Sequence, residues 1–325
     1  MKIFFYFMRT YDELPMAEEL SREMGIGFGW SAEYPSLDNA ELARGYEVVS
    51  APPCSVPAGL LQRFHELGVK CYATHSIGYD HVDLQAAKAL GMPVSNVSYP
   101  PQGVANYAIM LMLMCLRRMP FIMKCTELQN YTLVNKIGRD LSSCTVGVIG
   151  TGSIGGTVLK HLSGFGCRLL CYDLFPREGL PGSYVPLEEL YRECDIITLH
   201  APATAQNHHM IDREALAMMK PGVCIVNTAR GGLIDTGALI DGLKSGQVGS
   251  CALDVLEQES GLYYANRAWD VIDNDEMAIL RSFPNVLLSP HTAFYTQTNV
   301  RHMLACNFQT AACLRDGTGD PHRVI

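Results

Sequence analysis

Short runs rich in apolar and β-branched residues alternate with longer stretches of helical periodicity almost throughout the chain. In the first hundred residues the runs predict strands at 2–8, 46–50, 69–74 and 92–97, with helices at about 13–24, 57–67 and 81–90 between them. Pro100-Pro101 interrupts the series, and the apolar stretch that follows predicts one long helix from about Gly103 to Lys124. A second series predicts strands at 145–149, 168–172, 195–199, 223–227, 248–253 and 286–289, with helices near 155–165, 187–193, 213–219, 236–245 and 275–281. A last helical stretch runs from Tyr295 to Leu314. Strands that alternate with helices imply parallel sheets covered on their faces, because a parallel crossover needs an element long enough to return the chain to the same end.

Two series separated by a proline pair suggest two domains, and 325 residues are enough for each to bury a core of its own. The last thirty residues are too few to fold alone. They are expected to pack back on the first domain, giving a discontinuous domain of residues 1–99 and 295–325 and a continuous one of residues 100–294.

Composition removes several alternatives. Hydrophobic residues make up 48% of the chain and charged residues 18%, as in ordinary globular proteins. A formal net charge of −8 argues against nucleic acid or an anionic membrane surface as the main partner. The greasiest stretch, Tyr107 to Leu116, is half the length of a membrane span and ends at Arg117-Arg118, so a buried helix is expected. The apolar run from Ile3 to Met8 is too short for a secretion signal and reads as a buried first strand. The twelve cysteines include no Cys-x-x-Cys pair, and Cys71, Cys167, Cys171, Cys224 and Cys251 lie in or beside strand-like runs, where a thiol serves as a small hydrophobe. A reducing cytoplasm fits this usage. The ten histidines show no metal-ligand spacing, and the neighbours His208 and His209 cannot point the same way on a regular element, so no metal site is expected.

The first candidate chemistry lies at the start of the second series. Thr145-Val-Gly-Val-Ile149 leads into Gly150-Thr-Gly152-Ser-Ile-Gly155, with Gly155 expected to open a helix. The first glycine permits a tight turn, the second lets a pyrophosphate approach the backbone, and the third lets helix pack on strand. The helix N-terminus offers free N–H groups and the positive end of its dipole to the phosphates. The next strand ends at Asp173, eighteen residues past Gly155, where a carboxylate suits ribose hydroxyls and repels a 2′-phosphate. NAD is therefore the expected cofactor in preference to NADP, with Arg177 close enough in sequence to soften the choice.

In open α/β sheets ligands bind outside the carboxyl ends of the strands. Those ends carry His200-Ala-Pro202, Thr228-Ala-Arg230-Gly-Gly232, Asp254 followed by Glu257 and Glu259, and Pro290-His291. An arginine offers a planar, permanently charged fork to a substrate carboxylate. A histidine paired with a carboxylate is oriented and stabilised as imidazolium, which suits it to protonate a carbonyl oxygen while hydride reaches the carbon. The combination points to reduction of a small 2-oxo acid.

Asn227-Thr-Ala-Arg-Gly-Gly-Leu-Ile-Asp235, Ala252-Leu-Asp-Val-Leu-Glu257 and Ser289-Pro-His-Thr-Ala-Phe-Tyr-Thr296 resemble the D-2-hydroxyacid dehydrogenase family, in particular its D-lactate dehydrogenase-like branch, and the vancomycin-resistance D-lactate dehydrogenases are similar too. The resemblance implies two open parallel-sheet α/β domains, one flavodoxin-like, discontinuous and catalytic, the other a Rossmann NAD-binding domain, with a cleft between them. It implies Arg230 as the carboxylate-binding residue, His291 as the acid–base, and Glu259 as the acid that orients it, since Glu259 and not Glu257 stands five residues after Asp254. Asp254 matches a residue near the nicotinamide, and Ser153 and Ile154 match the pyrophosphate contacts. Ala201, Pro202, Asn207, Thr228 and Ala229 match further cofactor contacts. Ile77 and Gly78 match a loop whose N–H groups hold the substrate carboxylate, and Tyr99 matches an aromatic of the pocket. A homodimer is also implied.

Departures from the family pattern are His75 where Arg is common, Asn106 where Glu is common, and Ala51-Pro-Pro53 without the aromatic that narrows some lactate enzymes. The last leaves more room for the substrate side chain, so branched and aromatic 2-oxo acids compete with pyruvate. A phosphate-bearing substrate is disfavoured because 51–56 and 74–79 contain no Lys or Arg. The reading reached is a cytoplasmic NADH-dependent reductase of 2-oxo acids; the alternative is a NAD-sensing corepressor-like protein on the same fold.

Overall fold

The structure, a computed structural model, describes residues 1–259 and 261–325. The chain forms two compact units, Met1–Pro100 with Tyr295–Ile325, and Pro101–Phe294.

In the first unit the chain runs through β1 (Lys2–Phe5), α1 (Glu13–Met24), β2 (Gly27–Trp30), β3 (Val48–Ala51), α2 (Ala58–Glu66), β4 (Cys71–Thr74), α3 (Leu84–Ala89) and β5 (Val94–Ser95). All strand pairs are parallel and the order is β2-β1-β3-β4-β5, the flavodoxin-like arrangement. Strand β2 was not expected from the sequence. Its Gly-Phe-Gly-Trp string carries two glycines, which weaken the strand signal, but an edge strand needs a partner on one side only. Asp12 and Asp83 cap α1 and α3 by accepting from backbone N–H groups, and Gly25 ends α1 in the left-handed region at φ +62°.

The second unit begins with α4 (Gln102–Leu116) and α5 (Met119–Glu127). These replace the single helix expected over 103–124. Arg118 stands at φ +51°, and Pro120, which has no N–H to give, sits in the first turn of the new helix. Then come β6 (Thr145–Ile149), α6 (Ser153–Leu162), β7 (Arg168–Tyr172), β8 (Ser183–Tyr184), α7 (Leu187–Glu193), β9 (Ile196–Leu199), α8 (Arg213–Met218), β10 (Val223–Asn227), α9 (Thr236–Ser245), β11 (Val248–Leu253), α10 (Asp275–Ser282) and β12 (Val286–Leu288). The seven strands are parallel in the order β12-β11-β10-β9-β6-β7-β8. Counted from β6, this is the Rossmann order with one further strand, and it reverses between β6 and β9. Strands β9 and β10 are buried along their whole length, which explains their continuous apolar runs. Helix α4 is apolar on nearly every side because Ala105, Ala108, Leu111, Met112 and Cys115 sink into the same core as Val146, Val158, Val226 and Ala252. Among the described residues no helix is long and apolar enough to cross a membrane. The cysteines are free thiols, most of them buried.

The chain then returns to the first unit as α11 (Gln297–Asp316), capped by Thr296 and ended by Gly317 at φ +66°. Val300, Leu304, Phe308 and Ala311 join Ile3, Phe5, Leu20 and Ile26 in one core. Beneath α11 lies a buried polar chain. Arg9 pairs with Glu13 at 2.7 Å, Glu13 meets Nε2 of His75 at 3.1 Å, and Nδ1 of His75 lies 2.7 Å from Nδ2 of Asn307, which also donates to Ser50. Burial alone raises the Glu13 carboxyl, but the His75 bond and charge and the Arg9 charge outweigh it and hold the group below its ordinary value.

Candidate active site

The glycine turn joins β6 to α6. Gly150 needs its φ of +89°, and a Cβ there would stand 2.6 Å from the Ala201 nitrogen. A Cβ on Gly155 would collide with the Gly150 carbonyl oxygen, so the helix packs directly on the turn. Gly152 faces open space, which is what the middle glycine of a pyrophosphate-binding turn should face. The helix opens two residues earlier than expected, at Ser153 with Gly152 as its cap, because the turn is complete once Gly150 has reversed the chain. Ser153 and Ile154 therefore form its first turn, where backbone N–H groups have no helical acceptor. Asp173, just past β7, accepts from the Thr151 N–H at 2.5 Å, from the Thr151 hydroxyl at 3.1 Å, and from the Phe175 N–H at 2.9 Å. The carboxylate assigned to the ribose thus also latches the glycine turn, and Thr151 is a residue that sequence reasoning missed.

Arg230, Glu259 and His291 follow β10, β11 and β12, three neighbouring strands, so their loops emerge at one edge of the sheet. Buried Asn227 shapes the first loop: its amide donates to the Arg230 carbonyl at 2.8 Å and accepts from the Ala229 N–H at 3.0 Å. A Cβ at Gly231 would collide with the Leu256 carbonyl, so glycine lets the β10 and β11 loops touch. His291 donates from Nδ1 to Glu259 Oε1 at 2.6 Å, and Glu259 Oε2 is itself held by the Leu256 N–H at 2.9 Å. His291 and Glu259 remain 20% and 26% exposed, enough for a ligand to reach them. Phe294 stands edge-on to the imidazole with ring centres 6.3 Å apart.

Asp254, expected beside the nicotinamide, is wholly buried. Its carboxylate accepts from the Ser289 hydroxyl at 2.6 Å and from the N–H groups of Thr292 and Ala293, both at 2.9 Å. The carboxylate thus faces the loop that carries His291, not open space. The clamp has something to hold, since His291 itself sits at φ +51°. Hydroxyls at 289 and 292, flanking His291, were the available signal for this arrangement. His200, the other histidine at a strand end, lies beneath the turn. Burial pushes it down to about 4, and its Nε2 lies 2.9 Å from the Thr198 hydroxyl.

Of the remaining expected cofactor residues, Ala201 is half-buried beside the turn and Pro202 is exposed. Asn207 braces its own loop, donating to the Pro202 carbonyl at 2.7 Å and accepting from the Thr204 N–H at 2.7 Å. The Thr228 hydroxyl is buried without a hydrogen-bond partner among the described residues, as a group that awaits a polar ligand would be. Together with the open face of Gly152 and the free first turn of α6, this orphan hydroxyl makes the residues present a fit for a dinucleotide. In the first unit the loop after β4 is fixed by its side chains: Ser76 donates to the Gly78 carbonyl at 2.6 Å, and Asn96 donates to the Ile77 carbonyl at 2.9 Å. Ile77 is exposed, Gly78 and Tyr99 half-buried.

The histidine pair lies outside any regular element. There His208 and His209 point the same way, because His209 adopts φ +54°. Their rings stack with centres 3.8 Å apart, and both face Glu257.

A Rossmann sheet with its glycine turn, an arginine, and a histidine locked to a carboxylate at the same edge define an NAD-dependent oxidoreductase. Residues 109–293 match the family model described as the NAD-binding domain of D-isomer-specific 2-hydroxyacid dehydrogenases. The chain is 41% identical over 311 residues to an aromatic 2-oxoacid reductase of Clostridium sporogenes, covering 94% of this chain and 93% of that protein. Among solved structures it resembles D-2-hydroxyisocaproate dehydrogenase, with a TM-score of 0.89 and 33% identity, covering 100% of this chain and 99% of the other. It also resembles the NAD-complexed D-isomer-specific 2-hydroxyacid dehydrogenase of Lactobacillus delbrueckii, with a TM-score of 0.87 and 27% identity over 100% of both chains. The chain belongs to the D-isomer-specific 2-hydroxyacid dehydrogenase family. Its activity class is NAD-dependent reduction of 2-oxo acids to D-2-hydroxy acids.

Proposed function

We propose that this enzyme reduces 2-oxo acids with a branched or aromatic side chain, with His291 as the proton donor and Arg230 as the carboxylate ligand. The observation that carries the proton-donor assignment is the 2.6 Å bond from His291 to Glu259. It orients the ring with Nδ1–H on the carboxylate, so that the doubly protonated ring delivers its Nε2 proton to the carbonyl oxygen of the substrate. Bound NADH supplies the hydride. Gly150, Gly152, Ser153, Ile154 and Gly155 would hold its pyrophosphate, Asp173 its adenosine ribose, and Ala201, Pro202, Asn207, Thr228 and Ala229 the rest of its length. Arg230 clamps the substrate carboxylate through two parallel N–H bonds. The N–H groups of Ile77 and Gly78 and the ring of Tyr99 are assigned to the substrate as well. The missing aromatic at Ala51-Pro-Pro53 and the side chains named for two of the similar proteins favour bulk over pyruvate. Domain boundaries at 99/100 and 294/295, a cytoplasmic location and a homodimer belong to the same proposal. Leu128, Tyr131, Leu133, Val134 and Ile137, each more than two-thirds exposed along one segment, give such a dimer an apolar surface to cover.

The test is a steady-state panel of pyruvate, 2-oxoisocaproate, phenylpyruvate and oxaloacetate with NADH. Phenylpyruvate or 2-oxoisocaproate should have the highest kcat/KM, and His291→Ala should lower kcat roughly 10²–10⁴-fold, the usual worth of a positioned acid. Intact turnover by His291→Ala would discard the assignment. Tight NADH binding with no turnover of any 2-oxo acid would favour the sensing protein.

A further inference from the structure

We propose that His208, His209 and Glu257 form a binding site for a borderline transition dication, Zn²⁺ being the best fit, beside the active site and separate from it. The three residues come from two connections at the carboxyl edge of the second unit: the histidines from the segment between β9 and α8, the glutamate from the loop after β11. One ligand atom from each lies within 4.8 Å of the other two. Glu257 Oε1 is 2.7 Å from His209 Nε2 and 3.9 Å from His208 Nε2. Donors around a tetrahedral Zn²⁺ at about 2.1 Å sit ~3.4 Å apart. The Glu257–His209 pair must therefore open and the Glu257–His208 pair close, each by less than ~1 Å, and His208, at 61% exposure, must rotate out of its stack on His209 so that both ring nitrogens aim at one ion.

The surroundings match how metal ligands are held. Glu257 Oε2 accepts from the Thr236 hydroxyl at 3.0 Å, which orients the carboxylate from outside. The His209 N–H donates to the Gly232 carbonyl at 2.8 Å, fixing the backbone that carries both rings. Glu276 stands near Glu257, His209 and Asp235 and adds to the negative potential. Two imidazoles and one carboxylate are the donor set of catalytic and exchangeable zinc sites, which keep a fourth position for water. A plain His209–Glu257 hydrogen bond between loops would explain those two residues, but it gives no reason for the Nε2 of His208 to approach the same Glu257 oxygen. Glu257 and Glu259 share a loop, so the metal would sit two residues from the acid that orients His291.

The experiment is calorimetric titration of chelator-treated, cofactor-free protein with Zn²⁺, followed by Co²⁺ absorption as a probe of ligand type. The expected result is one ion per chain, tetrahedral Co²⁺ bands and no sulfur-to-cobalt charge transfer. His208→Ala should weaken binding roughly tenfold or more, with unchanged melting temperature and turnover in chelator. Glu257→Gln, which keeps shape and loses charge, should weaken it as well. Equal affinity in wild type and His208→Ala, no saturable binding, or a thiolate charge-transfer band would each overturn the proposal.

Discussion

Replacing Asp254 by asparagine separates two roles for that residue, contact with the cofactor and support of the His291 loop. In the native protein one carboxylate oxygen accepts from the Ser289 hydroxyl and the Thr292 N–H, and the other from the Ala293 N–H. Asparagine keeps one carbonyl oxygen and turns an NH₂ group toward the remaining donor. If the oxygen stays with Ser289 and Thr292, the Ala293 N–H meets another donor in a fully buried site. A hydrogen bond to a charged group is worth ~1.5–3 kcal/mol, and stranding a buried N–H costs ~1–3 kcal/mol, so a loss of about 3 kcal/mol lies near the bottom of the combined range of ~2.5–6 kcal/mol. For a unit of this size each kcal/mol moves Tm by ~2–4 °C, so the cofactor-free variant should melt about 6–12 °C lower. Its kcat should fall as well, because the loop that holds His291 at φ +51° is no longer clamped. The assay is thermal unfolding without NADH, beside steady-state kinetics with NADH varied. An unchanged Tm with only KM for NADH raised would refute the clamp and leave Asp254 with the cofactor role alone.

Two further outcomes follow from other sites. Asp173→Ala should narrow the preference for NADH over NADPH by roughly tenfold or more, ~1.4 kcal/mol, well within the ~4 kcal/mol that two unit charges exchange at 4 Å near a surface. Unchanged selectivity in a paired kcat/KM measurement would mean the ribose contact lies elsewhere. The depressed Glu13 carboxyl contributes stability that is present above its unfolded value of about 4.3 and is lost as pH falls through the lower folded value. Acid melts of the wild type should therefore steepen below about pH 4.3, and Glu13→Gln should flatten that limb while lowering Tm at pH 7; parallel curves would show that Glu13 does not drive the acid response.

Much of the candidate site was legible because topology makes it so. In a parallel α/β unit every strand ends at the same edge, so reading which residues follow β10, β11 and β12 was enough to put Arg230, Glu259 and His291 on neighbouring loops, where His291 and Glu259 meet. The glycine turn was legible for the same reason, since its spacing reports local backbone geometry. The helix over 103–124 was misread because apolar periodicity does not register a single residue at φ +51°. Strand β2 was missed because two glycines erased a pattern that sheet pairing restores.

By itself, then, the sequence determined the α/β alternation, the order of the elements, the dinucleotide turn and the residues at the strand ends, all of which depend on contacts within a few positions or on the handed parallel crossover. Tertiary structure alone decided what each polar side chain does there. Asp254 clamps a loop 35 residues away, Thr151 is latched by Asp173, and Glu13 reaches His75 across 62 residues. His208 and His209 converge on Glu257 through a left-handed residue. Hydrogen bonds between groups far apart in the chain, and backbone angles outside the regular regions, leave no period in the sequence, and these are what turn a set of strand-end residues into a site.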